Sequence, residues 1–470
     1  MKKILLLLAL GGCSAVGPDY RRPAVELPAS FPVSTSQENP TVQDDWWKLY
    51  RDPVLDELVA TVRANNADIR LAVAQVLEIE AVLRQVDAAR LPEVSGVASR
   101  SNSRVTERSI PPPPKPVSGS IERPDARLAL QSSFEIDFWG RLSRSSEAAR
   151  AALLGTRYAR EVVTLSQVSL AAQAYFNLRS LDAQLAVLAE TIRARRDSVD
   201  LARARLNAGL ASELDVHQAQ GALSDALVQR RETGRLRSLT ERQIGGLAGR
   251  PGTPIAAGDL FTLPVPPTPP AGLPSQLLER RPDIRASEQA LAGANAQIGV
   301  AKAALFPTIT LTGAYGSQSS AFSDLLSSGT TIWSIAFAAT LPIFDAGRRQ
   351  AAVGQAEARR TQALAAYQKS IEAGFREVAD ALVSLEQSSA AEADLADRLA
   401  AARAALALSS ERYQSGYSPY LEVLDAQRTA NDAELAFVRN RQARLAYSVD
   451  LMKALGGGWS AEAGLNSGLR

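Results

Sequence analysis

Apolar and polar side chains alternate with a period of two over four stretches and recur with a helical period over most of the rest. The sharpest alternation runs from Arg127 to Phe138. Leu128, Leu130, Phe134, Ile136 and Phe138 share one face there, and Ala129, Gln131, Ser133, Glu135 and Asp137 the other. That pattern predicts a strand with one apolar and one wetted face, as expected equally of a soluble sandwich or a membrane barrel. Glu93 to Arg104 alternates more weakly and predicts a partner strand. In the second half Ile309, Leu311 and Tyr315 alternate with Thr308, Thr310 and Thr312, and Trp333, Ile335, Phe337, Leu341 and Ile343 with Ser334, Ala336, Ala338 and Thr340. A proline run from Ile110 to Pro116 and a Ser/Gly-rich stretch from Gly316 to Thr330 predict exposed loops inside the two strand pairs.

The helical pattern is longer. Val54 to Ala89 predicts one helix that Pro92 stops. Arg141 to Ala208 has no proline and Gly155 as its one internal glycine, which predicts a helix of roughly 100 Å at about 1.5 Å per residue. Leu178, Leu185, Ile192, Val199 and Leu206 recur every seventh position along it, a coiled-coil seam. Ser212 to Leu247 predicts the returning helix. Gly347 to Ser415 is a second long helix, seamed by Leu364, Ile371, Val378, Leu385, Leu399 and Leu406 with Glu392 as the one break, and Tyr420 to Leu455 returns from it.

These elements repeat. Gly209 and Gly416 lie 207 residues apart, and at that spacing Leu214/Leu421, Asp215/Glu422, Val216/Val423, Ala219/Ala426 and Gln220/Gln427 correspond. A glycine ending one helix, with serine before the next, is the chemistry of a tight helix reversal, so Gly209 and Gly416 mark two hairpin turns. Asn66-Ala-Asp-Ile-Arg70 matches Arg281-Pro-Asp-Ile-Arg285, and Pro92 matches Pro307, both at a spacing of 215. The chain divides accordingly into a first repeat, 53–248, a Pro/Gly-rich linker, 249–274, a second repeat, 275–456, and a C-terminal tail, 457–470. Each repeat reads helix, strand, loop, strand, long helix, hairpin, helix.

Composition changes the picture mainly by exclusion. The net charge is +2 from 52 basic and 50 acidic residues spread along the chain, with no basic block to suit nucleic acid. One His and one Cys leave no constellation for a zinc site, a disulfide framework or a Ser–His–Asp triad, so neither an enzyme nor a metal centre is expected. His217 lies in the hairpin copy opposite Leu424 and reads as a helix-surface residue. The cysteine is informative by position. Lys2-Lys3 and a short apolar run lead to Leu10-Gly11-Gly12-Cys13, which resembles a bacterial lipobox. That resemblance makes 1–12 a signal peptide, Cys13 the lipid-attachment residue and 13–52 a Pro-rich lipidated tether, and by the same resemblance Ser14 favours sorting to the outer membrane. No other cofactor is expected. No other apolar run approaches the roughly 20 residues of a spanning helix, so a membrane-crossing part must be built of strands.

Four strands cannot close a barrel, since single-chain membrane barrels begin at about eight. Yet Phe134, Phe138, Trp333 and Phe337 should not face water. Either helices cover them or several chains pool strands, and the very long helices favour pooling. At this point the chain resembles the outer-membrane factor (TolC-like) family, in its lipoprotein branch serving resistance–nodulation–division efflux pumps. The resemblance runs from the lipobox to Trp459. It is carried most specifically by Gly272-Leu-Pro-Ser-Gln-Leu-Leu-Glu-Arg-Arg-Pro-Asp-Ile-Arg285 and Gly416-Tyr-Ser-Pro-Tyr-Leu-Glu-Val-Leu-Asp-Ala-Gln427.

The resemblance implies a mainly α protein with membrane β: a homotrimer whose twelve pooled strands form one outer-membrane β-barrel, continued by a periplasmic α-helical barrel. It implies a passive exit duct for small molecules, lipid-anchored in a Gram-negative outer membrane, with a periplasmic adaptor (membrane fusion) protein and an inner-membrane pump as partners. Leu421, Glu422 and Asp425 fall where the family places its periplasmic aperture rings. Tyr413 and Asp215 match a link that holds the tunnel shut. Ser418 departs from the pattern, since some members carry an arginine latch there. The rival readings are a TolC-like duct for type I protein secretion and a structural coiled-coil lipoprotein spanning the periplasm. Two Met, one His and one Cys argue against a relay of soft-metal ligands along the wall, and the cargo is not legible.

Overall fold

A computed structural model describes residues 15–25, 42–105, 121–268 and 274–459. In chain order the helices are α1 (Pro53–Asn65), α2 (Ala67–Ala88), α3 (Arg141–Asn207), α4 (Glu213–Leu247), α5 (Pro274–Arg280), α6 (Pro282–Ala303), α7 (Arg348–Gln414) and α8 (Tyr420–Ala454). The strands are β1 (Glu93–Val105), β2 (Ile121–Ile136), β3 (Thr308–Ser319) and β4 (Thr331–Thr340). The duplication is literal: α3 and α7 each have 67 residues, and α4 and α8 each have 35. No described helix is long and apolar enough to cross a membrane. The chain falls into two compact units. One comprises Met1–Pro23, Leu77–Gly155 and Ser287–Tyr367, the other Ala24–Val76, Thr156–Ala286 and Gln368–Arg470.

The first unit holds the sheet. The two predicted strand pairs join through β2 and β3 into one antiparallel sheet, ordered β1-β2-β3-β4. The register puts Phe134, Leu311 and Phe337 in one row and Leu130, Tyr315 and Trp333 in another. Directly opposed residues share a face, so one face carries Val94, Leu128, Leu130, Leu311, Tyr315, Trp333, Ile335 and Phe337, all exposed. The other face carries Ser95, Gln131, Ser133, Glu135, Thr310, Thr312 and Ser334. β2 begins earlier than the alternation predicts, at Ile121, and ends at Ile136. β3 extends past Tyr315 to Ser319, into the predicted loop, and β4 stops at Thr340. Ile343 and Phe344 therefore lie beyond the strand, 92% and 90% exposed. Most of the proline-rich loop, 106–120, lies outside the described residues.

The same unit holds the described start of the expected extended tether, residues 15–22, through hydrogen bonds and ion pairs. Val16 N donates to Trp139 O at 3.0 Å, Arg144 pairs with Asp19 at 2.7 Å, and Arg22 forks onto the buried Glu288 at 2.7 and 2.8 Å. Asn295 donates to Pro18 O at 2.8 Å. Burial and the Glu288 carboxylate push the Tyr20 hydroxyl up to about 12, so it stays a donor to that carboxylate. Residue composition shows that a segment avoids regular structure, not whether its polar atoms find partners elsewhere.

The second unit is held by aromatic and aliphatic cores. Trp46, Trp47 and Tyr50, from the far end of the predicted tether, are buried with Tyr175, Phe176, Leu260 and Val449. The inter-repeat linker is likewise fixed. Arg179 donates to Ala256 O at 2.7 Å, Arg237 to Ile255 O at 2.9 Å and Arg441 to Leu263 O at 2.7 Å. Glu392, the break in the second heptad seam, faces Arg441 and Arg444 on α8.

The single helix expected over 54–89 is broken at Asn66, whose ψ of 132° is extended. Its side chain accepts from Asp68 N and Ile69 N, the work of an N-cap, worth about 1 kcal/mol. The same side chain donates to Leu247 O at 2.9 Å, the last carbonyl of α4. In the second repeat Arg281 stands at the matching position and donates to Ala454 O at 3.1 Å, the last carbonyl of α8. It also forks onto Asp283 at 3.0 and 2.7 Å and reaches Glu377 at 2.6 Å. Burial opposes its charge, but those carboxylates hold the guanidinium above its ordinary value.

Both junctions are sealed by a left-handed glycine, Gly249 at φ +64° and Gly456 at φ +94°. A Cβ on Gly456 would lie 2.3 Å from Arg280 O, and one on Gly249 2.7 Å from Asn65 O. Gly209, at φ +72°, has nothing within 4 Å of such a Cβ. Gly209→Ala should therefore cost only the left-handed strain, about 1–2 kcal/mol, and Gly456→Ala distinctly more. Differential scanning calorimetry of the two variants in detergent should rank them so; equal shifts would mean that the contact with Arg280 O relaxes freely.

Candidate functional site

The hairpin turns both lie in the second unit and are built alike. α3 ends at Asn207, where Gly209 N and Leu210 N donate back to Leu206 O and Arg205 O. α7 ends at Gln414, where Gly416 N and Tyr417 N donate to Tyr413 O and Arg412 O. Each turn closes the last helical carbonyls through a left-handed glycine, φ +72° at Gly209 and +82° at Gly416. The return helices start differently. Ser212 caps α4 by accepting from Asp215 N, whereas Pro419 precedes α8 without a side-chain cap.

All four helices meet in one apolar cluster. Val199 and Ala202 of α3, Ala219 and Ala222 of α4, Tyr413 of α7, and Tyr420, Val423 and Leu424 of α8 pack together. On α8 the buried positions Tyr420, Val423, Leu424 and Gln427 form the i, i+3, i+4, i+7 face. Leu421, Glu422 and Asp425 are left exposed, with Leu421 at 58%. Leu421 and Asp425 are four residues apart and stack one turn along the same side. His217 is exposed on α4. Cys13 lies outside the described residues.

The residues of the expected closing link are Tyr413 and Asp215. Tyr413 is 4% exposed and its ring meets Tyr420 at 5.5 Å. Burial and the nearby Asp215 carboxylate push its hydroxyl above the ordinary value, with Arg205 pulling the other way. No hydrogen bond joins Tyr413 to Asp215, however. Tyr413 Oη and Ser418 Oγ are both buried with no hydrogen-bond partner among the described residues. A buried polar atom left so costs about 1–3 kcal/mol.

The bond that does cross between the hairpins belongs to a residue the sequence reading passed over. Arg205 Nη1 donates to Tyr413 O at 2.8 Å and Gln414 O at 3.1 Å, and its guanidinium carbon lies 4.8 Å from the Tyr413 ring centre. A cation from α3 thus caps the negative end of α7 and stacks on its last aromatic ring. Its counterpart, Arg412, stays at home and pairs with Glu422 across its own turn at 3.0 Å. Higher up, Gln427 donates to Ser198 Oγ at 3.0 Å and Thr191 to Asn431 at 3.2 Å, continuing the α3–α8 seam. The signal for Arg205 was available: both arginines sit at a helix C-terminus, 207 residues apart.

The sequence profile of the outer membrane efflux protein family matches residues 58–249 and 273–457. The cation efflux system protein CusC of Escherichia coli O6:H1 is 35% identical over 462 residues, covering 96% of this chain and 97% of its own. The toluene efflux pump outer membrane protein TtgI of Pseudomonas putida is 33% identical over 471 residues, covering 97% of each. Among solved structures, the outer-membrane channel OprN superposes with a TM-score of 0.88 at 28% identity, over 94% of this chain and 99% of that one.

Arg205→Ala removes a helix cap and a ring contact, together about 1–2 kcal/mol. Arg412→Ala removes an exposed ion pair worth below about 0.5 kcal/mol. Hydrogen–deuterium exchange of the Gly416 and Tyr417 amides should accelerate several-fold in the first variant and little in the second. The reverse order would dismiss Arg205 as the tie.

Proposed function

The chain belongs to the outer membrane efflux protein family, and we propose that three copies of it assemble into the outer-membrane exit duct of a tripartite efflux system. Cargo passes through and is not transformed. The observation that carries this reading is the sheet. Its apolar face, with Trp333, Ile335 and Phe337 65–75% exposed, suits lipid. Its polar face suits a water-filled lumen. Among the described residues β1 and β4 each keep one unpaired edge, and lipid tolerates no unpaired edge. Three such sheets joined β4 to β1 would supply twelve strands and close the barrel.

In that assembly the hairpins form the periplasmic end and dock on an adaptor that couples the duct to an inner-membrane pump. Cys13, acylated, anchors the chain in the same membrane. Leu421, Glu422 and Asp425 each become a ring of three around the aperture. Carboxylates crowded in a narrow lumen focus a negative potential that draws cations and repels anions. Closure needs links between helix pairs, not this repulsion, and the unpartnered Tyr413 Oη beside Asp215 is the candidate. The named efflux of cations and of toluene by the relatives supports small solutes over exported protein as cargo.

Planar-bilayer recordings of the purified protein test both levels. Wild type should conduct with cation preference, Asp425→Ala with Glu422→Ala should lose that preference, and Tyr413→Phe with Asp215→Ala should conduct more. An absence of conductance would return the chain to a structural rod, and selectivity untouched by removing both carboxylates would move the aperture elsewhere.

A further inference from the structure

The heptad seam of α3 has a companion row, and one member of it is a charge. Leu181, Leu188, Arg195 and Ala202 recur every seventh residue beside Ile192 and Val199, and all four are buried, at 5%, 2%, 4% and 0% exposure. The matching position in the second repeat, 207 residues on, is Ala402, also buried. One copy of the frame thus fills this place with a small apolar side chain and the other with a guanidinium.

Arg195 is poorly compensated there. Its Nη1 donates to Ala222 O, a carbonyl inside α4, and its Nε has no partner among the described residues. Among those residues it makes no ion pair. Asp225, one turn further along α4, and Asp432 of α8 lie close enough to attract it and Arg428 close enough to repel it, but all three are exposed. Burial pushes the guanidinium below its ordinary value, with Asp225 pulling the other way. A cation taken almost wholly out of water without a carboxylate beside it is a poor exchange for apolar packing. Two ties between α3 and α8 bracket the position, Thr191 to Asn431 at 3.2 Å and Gln427 to Ser198 at 3.0 Å. The seam is therefore weak between two fastened points, about three turns from the end of α3.

We propose that Arg195 is a two-position switch in the hairpin seam: it lies on Ala222 O while α3, α4 and α8 are packed, and swings out to the Asp225 carboxylate when they part. The long arginine stem allows this movement without a shift of its own backbone. The outward position regains water and an ion pair, which offsets part of the cost of loosening the seam. Arg195 thereby biases the hairpins toward the movement that opens the aperture. The inference rests on the reading of the hairpins as the end of the duct that opens.

Hydrogen–deuterium exchange of the α3 and α4 peptides around Arg195 and Ala222, in the intact protein, tests it. Arg195→Met keeps a long stem without the charge and should slow exchange there several-fold. Asp225→Asn should slow it in the wild-type background and add nothing to Arg195→Met, because the two groups act as a pair. Faster exchange in Arg195→Met would make the guanidinium a structural tie and overturn the switch. So would an Asp225→Asn effect that persists without Arg195. Asp225 is exposed, so its arm stands even if Arg195→Met does not fold: exchange unchanged by Asp225→Asn alone overturns the outward position. In planar bilayers both single variants should lower the open probability, and an unchanged open probability would cut the switch off from the aperture. A chain that conducts nothing fails the duct reading instead, and the exchange measurements still decide the switch.

Discussion

The last carbonyl of each returning helix has to be satisfied by a side chain from outside that helix, and much of the second unit follows from how this is done. Leu247 O and Ala454 O end α4 and α8, and Asn66 and Arg281 supply the donors. Serving that carbonyl fixes where the donor's own segment bends, because Asn66 leaves the helical conformation and starts α2 anew. The glycine that follows each carbonyl then has to pass under the backbone of the preceding segment, and at Gly456 only hydrogen fits. A polar cap, a helix break and a left-handed glycine are thus one device, made twice.

The two copies have diverged in chemistry while keeping geometry. Asn66 meets its carbonyl with a neutral amide; Arg281 meets the same need with a charge and therefore requires Asp283 and Glu377 around it. At the hairpins the split is sharper. Arg412 closes its own turn, while Arg205 leaves its own turn and ties the other hairpin. Duplication gave two equal frames, and the difference between one arginine and its twin makes the pair of hairpins directional.

The frame was legible because its signals are local and repeated. Dyad alternation placed all four strands, and heptads with hairpin glycines placed the long helices to within a residue or so. What failed to read was everything set by distant partners. The break at Asn66 is invisible in a smooth apolar pattern, although Pro282 at the neighbouring position of the other copy is a helix-start signal. The tether and linker looked loose because proline and glycine exclude regular structure, yet their carbonyls are claimed by Arg179, Arg237, Arg441 and Asn295. At the hairpins the turn glycines place Asp215 beside the first reversal and Tyr413, Leu421, Glu422 and Asp425 around the second. Which atoms bond there depends on side-chain reach across helices, and Arg205 was missed for that reason.

The free edges of the sheet carry a consequence for biogenesis. β1 is guarded against self-association, since Glu93, Arg100 and Arg104 would meet like charges on a second β1 in several registers. β4, Thr331 to Thr340, has no charge and no proline, and its Trp333, Ile335 and Phe337 are bare. Such an edge is a template for mispairing. If chains pool their strands as proposed, pairing of β4 with a neighbouring β1 competes with mispairing through the same edge. In the proposed three-chain barrel, how long that edge stays open would depend on how soon a neighbouring β1 reaches it.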